Sequence, residues 1–230
     1  MGTRMRLATL PTQPTMNENH RLVRTVFKRA DLLASNVLAV EQSMYFPSGK
    51  SPVHAEDDSE EVIYFRRGRG KVLRGNEYVE VGPGSAVTIP GGKPHHVVNT
   101  GEDVLEHILI SADLSPSVPK EVQALPDTGD FLVTHGEGGL RRLACRKFTV
   151  APGETSRTVT FGDRETVYAI SGGFAIVHVA LPGGEYEWQY AMDASNCFWL
   201  PPDRPHYFRN VGDSPLAVTS FLCLSGSTDS

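Results

Sequence analysis

The residues best equipped for chemistry sit in two short stretches of the first half of the chain. His54-Ala55-Glu56 is followed after four residues by Glu61, and six more separate Glu61 from Gly68. Farther on, Gly84, Pro90, Gly92, His95 and Asn99 follow one another at short intervals. Imidazole and carboxylate are donor types that hold Fe(II), Mn(II) or Zn(II). In an extended chain residues i and i+2 lie on one face, so His54 and Glu56 project together. His96 adjoins His95 and must face the other way. The glycines permit turns with positive φ, and Pro90 suits a strand start. Glu56 also has a second reading. It opens the acidic run Glu56-Asp57-Asp58-Ser59-Glu60-Glu61, and such runs are usually solvated loops. Cys145, Cys197 and Cys223 are the three cysteines, and they form no CxxC pair. Neither a zinc–thiolate site nor a disulfide framework is expected, and a reducing cytoplasm fits best.

The elements that must position these residues are short strands. Alternating segments such as Val62-Ile63-Tyr64-Phe65, Ser85-Ala86-Val87-Thr88-Ile89 and Phe174-Ala175-Ile176-Val177-His178-Val179 are separated by Gly- and Pro-containing turns. This pattern predicts an all-β sandwich or barrel. The one helical candidate, Lys28–Ala34, is short. The net charge of −5 gives no nucleic-acid footprint. No apolar run is long enough for a membrane span, and the first twenty residues read as a frayed terminus without a signal-peptide core. The chain also repeats itself. Glu61-Val62-Ile63-Tyr64 is echoed 104 residues later by Glu165-Thr166-Val167-Tyr168, and Gly49 by Gly153. Pro90, His95, Asn99 and Gly101 are echoed 111 residues later by Pro201, His206, Asn210 and Gly212. The seven extra residues fall near Leu181-Pro182-Gly183-Gly184, where a longer hairpin absorbs them. A tandem duplication follows. The expected layout is an N-terminal extension over 1–34, a first domain over 35–112, a Pro-containing linker over 113–137 and a second domain over 138–226.

Both stretches resemble the two motifs of the cupin family. Gly84, Pro90, Gly92, His95 and Asn99 match its second motif in full, while His54, Glu56, Glu61 and Gly68 match the first with Glu56 in place of the second histidine. The resemblance runs over both repeats, roughly residues 35 to 226. It implies two jelly-roll barrels in tandem, with one divalent ion, Fe(II), Mn(II) or Zn(II), held by His54, Glu56, Glu61 and His95. Two carboxylates would neutralise such an ion, where the usual set of three histidines and one glutamate leaves one positive charge. Without Glu56, the remainder is a two-histidine, one-carboxylate set that suits non-haem Fe(II). In the second repeat an offset of 104 puts Thr158 and Thr160 at the ligand positions, so only one ion per chain is expected. Glu165 and His206 are left there, either as structural residues or as a proton-transfer pair.

Other candidates follow from parity. Arg67 shares strand parity with Glu61 and is a candidate for holding a substrate carboxylate, or else a surface arginine. His107 stands in the apolar segment Val104–Ile110 and reads as a core residue or a pocket acid or base, beside Glu56 as a proton carrier. Tyr64 and Phe65 read as core. The leading functional expectation is an Fe(II)-type dioxygenase acting on a small organic molecule. A redox-neutral metal-dependent isomerase, lyase, cyclase or hydrolase is the alternative, and a non-catalytic small-molecule binder the third. The expected partner is a small-molecule substrate, with no nucleic acid or membrane, and a homodimer is compatible with the sequence.

Overall fold

The computed structural model describes residues 5–9, 15–17, 19–32, 35–117, 130–181 and 187–226. Its strands are β1 (Arg6–Thr9), β2 (Thr15–Asn17), β3 (Arg21–Lys28), β4 (Val37–Tyr45), β5 (Ser59–Arg67), β6 (Gly70–Arg74), β7 (Glu77–Val81), β8 (Ala86–Ile89), β9 (His95–Asn99) and β10 (Leu105–Asp113). They continue with β11 (Asp130–Val133), β12 (Leu143–Val150), β13 (Arg164–Gly172), β14 (Ala175–Ala180), β15 (Glu187–Met192), β16 (Asn196–Leu200), β17 (His206–Asn210) and β18 (Leu216–Leu224). A six-stranded sheet, β2-β3-β4-β10-β5-β8, and a three-stranded sheet, β7-β6-β9, make the first jelly roll. The sheets β1-β16-β13-β18-β12-β11 and β15-β14-β17 make the second. Among the described residues no helix is long and apolar enough to cross a membrane.

Side-chain alternation sorts each large sheet between two cores. Along β5, Ile63 and Phe65 face the interior of the first barrel with Val72, Val97 and Leu105. Val62 and Tyr64 face the other way, into a core shared with Val167, Ala169, Trp199 and Phe221 of the second barrel. Tyr64 and Phe65 are thus both core residues, but of different cores. The barrels therefore pack back to back through their six-stranded sheets.

Two glutamates fasten this junction reciprocally. Glu60 accepts hydrogen bonds from the backbone N–H groups of Arg141, Arg142 and Leu143, at 2.7, 2.7 and 2.8 Å. Glu165 accepts from the N–H of Asn36 at 2.8 Å, the Ser35 hydroxyl at 2.5 Å and the Trp199 indole at 2.9 Å. Each carboxylate leaves one barrel and holds the entry to a long strand of the other, β12 for Glu60 and β4 for Glu165.

The register corrects the sequence alignment of the repeats. Both Glu60 and Glu165 stand opposite equivalent points of their partner strands, Ala112 and Cys223. Gly68 and Gly173, both with positive φ, make the same close approach to the chain at Leu105 and Leu216. The offset in the first part of the repeat is thus 105, not 104. Glu165 matches Glu60 rather than Glu61, and Gly153 is not the equivalent of Gly49. The offset becomes 111 by Val81 and Met192, so the longer β14–β15 connection absorbs six residues rather than seven.

Three further expectations change. Within the first twenty residues Arg6–Thr9 is not frayed, since β1 pairs with β16, while 1–4 and 10–14 lie outside the described residues; β3 then pairs along nearly the whole of β4. The segment Lys28–Ala34 does not start a helix: Lys28 closes β3, and Arg29–Asp31 is a single 3-10 turn whose Asp31 carboxylate accepts the Lys28 N–H, while 33–34 lie outside the described residues. Within the expected linker, Asp130–Val133 is already a strand of the second barrel, paired with β12, while 118–129 lie outside the described residues.

Glu60→Ala removes the acceptor of three backbone donors, two of them on the buried residues Arg142 and Leu143. Unsatisfied buried donors cost about 1–3 kcal/mol each. The expected loss is on the order of 3 kcal/mol, read as a lower urea midpoint, with Glu165→Ala giving a loss of similar size.

Candidate metal centre

The loop that carries His54 is fastened to the start of β9. His54 and His95 exchange both backbone hydrogen bonds, at 3.2 and 2.8 Å. The turn before β9 closes on the same loop, where the N–H of Gly92, at φ 73°, donates to the Glu56 carbonyl at 2.8 Å. The two imidazole rings are thereby set with centroids 4.2 Å apart. In each ring Nδ1 donates to a carbonyl two residues upstream, Pro52 for His54 and Lys93 for His95, both at 3.1 Å. That assignment follows from the partner, because a carbonyl only accepts. It leaves both Nε2 atoms as lone-pair donors, the arrangement that orients metal-ligating histidines.

Glu61 reaches the same place from β5. Its Oε2 lies 3.1 Å from His95 Nε2, and both groups are buried. The contact qualifies as an ion pair by distance, yet neither atom has a hydrogen bond of adequate geometry. Burial alone would lower the pKa of His95, but Glu61, with the Lys93 carbonyl and Glu56, outweighs it and the net shift is upward. Two ligands in adjacent coordination positions, with bonds of about 2.1 Å, stand roughly 3.0–3.4 Å apart. The facing pair therefore fits an ion between them. His54 and Glu56 are exposed, and Glu56 accepts a hydrogen bond from the Ser59 hydroxyl at 2.7 Å. Among the described residues no group of three His, Cys, Asp or Glu side chains is already gathered around one point. His54 is close by, while Glu56 must leave Ser59 to join.

His54, Glu56, Glu61, His95 and His107 all line one cavity of about 340 Å³ inside the first barrel. Arg67 does not. A bulge where β5 meets β10 pairs Phe65 with His107 but Arg67 with Glu106, which breaks the parity that relates Arg67 to Glu61. Arg67 is exposed, and its neighbour Arg66 instead ties the barrels through the carbonyls of Ile170 and Ala194, both at 3.1 Å. His107 lines the cavity and is buried. Burial and then Arg21 push its pKa down to about 3, so it stays neutral. Its Nε2 is hydrogen-bonded to the Tyr45 hydroxyl at 3.2 Å.

Arg21, Glu41 and Tyr45 also line the cavity, and sequence reasoning missed them. Glu41 and Tyr45 belong to the inward row Ala39, Glu41, Ser43, Tyr45 of β4, a polar alternation that looks like a solvent face. Burial raises the pKa of Glu41, against the lowering effect of Arg21.

Among the described residues the second barrel has no comparable site. Val159 and His206 form the bridge that His54 and His95 form in the first barrel. At the same offset Phe161 replaces Glu56 and Thr166 replaces Glu61, so the lost positions are Val159 and Phe161, not Thr158 and Thr160. Glu165 and His206 do not form a proton-transfer pair. Glu165 belongs to the barrel junction, while His206 Nε2 is hydrogen-bonded to the Tyr168 hydroxyl and its Nδ1 donates to the Arg204 carbonyl at 2.6 Å.

Residues 42–111 match the family model of the cupin domain. The match takes in the end of β4, β5 to β9 and most of β10 of the first barrel, with both motif stretches. Among solved structures, a single-residue variant of Bacillus subtilis oxalate decarboxylase superposes with a TM-score of 0.77 at 16% identity, covering 98% of this chain and 78% of the other. A formate complex of Lactobacillus farciminis oxalate decarboxylase gives 0.76 at 14% identity, covering 98% and 88%. A structure from a study of the Mn(II) centres of the Bacillus subtilis enzyme gives 0.76 at 15%, covering 100% and 79%. Identities this low establish the cupin jelly-roll fold alone. No curated protein matches in sequence.

Elemental analysis of the protein should find close to one divalent ion per chain; two would contradict the apolar Val159 and Phe161. Acid stability without metal is a separate consequence of the buried histidines. Burial and, for His107, Arg21 hold His107 at about 3; burial, outweighing the Arg204 carbonyl, holds His206 at about 4. Both are depressed from 6.5, so the unfolded chain binds more protons below that pH. Their stabilisation is full above about 6.5 and lost as pH falls towards about 4 and then about 3, by at most about 1.4 kcal/mol per pH unit for each group. Urea midpoints should drop over that window, and His206→Asn should flatten the drop.

Proposed function

We propose that the first barrel holds one divalent metal ion through His54, Glu61 and His95, and that the protein is a metal-dependent enzyme acting on a small organic acid. The observation that carries this reading is the buried, facing pair His95 Nε2 and Glu61 Oε2, which lack hydrogen-bond partners of adequate geometry at the wall of a cavity. A bound ion would supply Lewis-acid polarisation of a substrate oxygen and, as Fe(II), redox capacity towards dioxygen. The chain's own residues do the rest. The Pro52 and Lys93 carbonyls fix both imidazoles in the tautomer that ligates. The barrel excludes water from Glu61 and His95.

With Glu56 held by Ser59, the donors are two histidines and one carboxylate, which favours the Fe(II)-type dioxygenase reading. A second reading rests on the same residue. If Glu56 turns inward, a second carboxylate makes the site oxygen-rich and neutral, which suits Mn(II) and redox-neutral chemistry such as a lyase. The fold shared with oxalate decarboxylases is on the side of this alternative.

Chelator treatment should remove metal and activity together, and restoring one equivalent should recover both. Oxygen consumption matching turnover would support the dioxygenase; equal turnover without oxygen would support the second reading. Retention of activity in protein shown to be metal-free would defeat both. Glu56→Ala separates its roles. As a ligand it should weaken metal binding, and as a proton carrier it should keep the metal but lose about 10²–10⁴-fold in rate. As a loop residue it should change neither.

A further inference from the structure

Resting on the reading of the first barrel as an organic-acid site, we propose that Arg21 is its anion-anchoring residue, whose guanidinium pairs with a carboxylate of the substrate. Arg21 comes from β3, in the segment before the first cupin motif, and lines the same cavity as His54, Glu61 and His95. Its position is fixed before any ligand arrives. Nη2 donates to the Ser43 hydroxyl at 2.9 Å, and the guanidinium lies 5.4 Å from the centroid of the Tyr45 ring. Tyr45 is held in turn by the neutral His107. A guanidinium is a planar fork matched to a carboxylate, and one already seated on an aromatic ring loses little freedom on engaging one.

The placement separates anchoring from chemistry. Ser43 stands opposite His107 on β10, whereas Glu61 stands opposite Ser111, four residues farther along. At about 3.4 Å per residue those rows are roughly 13 Å apart. The anchored carboxylate and the group presented to Glu61 and His95 are therefore different parts of the substrate. The set is also confined to the barrel with the metal-type residues. At the same repeat offsets, Phe148, Val150 and Val218 replace Ser43, Tyr45 and His107.

The test uses the full-length, metal-loaded chain and isothermal titration with glutarate and its uncharged diamide. Metal content and melting temperature are measured in every variant. Wild type should prefer glutarate over the diamide. Arg21→Gln should bind glutarate roughly tenfold or more weaker and lose most of that preference. Arg21→Lys should recover part of it, since the charge remains without the fork. Metal content should stay the same throughout. An unchanged preference in Arg21→Gln, or Arg21→Lys behaving no better than Arg21→Gln, would overturn the assignment. Wild type with full metal and no carboxylate preference would overturn it too, while leaving the metal reading intact. Should Arg21→Gln fail to fold, Arg21→Lys decides, and a glutarate affinity equal to wild type would overturn the proposal.

Discussion

Adjacent residues on a strand cannot share a face, and the site depends on that constraint at Glu60 and Glu61. Glu61 enters the first barrel beside His95, while Glu60 crosses to the second barrel and is held by three backbone N–H groups. The junction therefore sets the depth and rotation of β5. A slip of one residue would put Val62 in place of Glu61, depriving His95 of its neighbour, or Ser59 in place of Glu60, depriving the three junction donors of their carboxylate. Glu165 applies the same restraint from the other side, at the entry to β4, which carries Glu41, Ser43 and Tyr45 towards the cavity. The second barrel, which lacks the donor set, thus positions two strands of the barrel that has it.

Motif spacing made the first barrel legible. His54, Glu61 and His95 could be named because turn glycines and prolines fix where each strand starts, and strand starts fix which side chains point inward. Parity failed where a bulge intervened. Arg67 lies beyond the irregularity at Glu106–His107, which no residue type in the sequence announces. The repeat was legible as a repeat but misaligned by one residue, because the adjacent glutamates Glu60 and Glu61 offer two ways to match the single Glu165. Only pairing with β10 and β18 separates them, and pairing is a long-range property. Arg21 and Glu41 were invisible for a related reason: a polar row facing a cavity has the same alternation as one facing water.

The two interiors diverge most at one pair of equivalent positions. Glu41 of the first barrel corresponds to Arg146 of the second, opposite Leu109 and Ser220 respectively. Arg146 is fully buried, donates from Nε to the Ser220 hydroxyl at 3.0 Å and stacks against Phe161 at 4.6 Å and Phe148 at 5.2 Å. Burial lowers its pKa, partly offset by Tyr168, and its charge helps keep His206 neutral. A fixed cation among aromatic rings repels a metal ion electrostatically as well as occupying its space. The first barrel has the opposite balance, with three carboxylates, Glu41, Glu56 and Glu61, at the cavity wall. One fold thus holds a buried cation in one copy and a cluster of carboxylates at a cavity wall in the other.

This division also bears on where stability resides. Lining a barrel with Glu41, Glu61, His95 and His107 gives up apolar contact that a solid core would keep, at about 25 cal/mol per Å² of apolar area. The back-to-back junction supplies apolar burial elsewhere. Val62, Tyr64, Ile108 and Ile110 from the first barrel meet Val167, Trp199 and Phe221 from the second in one continuous core. A single barrel with this polar interior would expose that whole outer face, a patch far larger than soluble monomers normally carry. A second barrel packed on that face resolves the conflict. The second copy can fill its interior with Val159, Phe161 and Phe208, cover the outer sheet of the first, and leave the first free to keep a polar cavity. The shared core thus supplies the apolar burial that the polar cavity of the first barrel gives up.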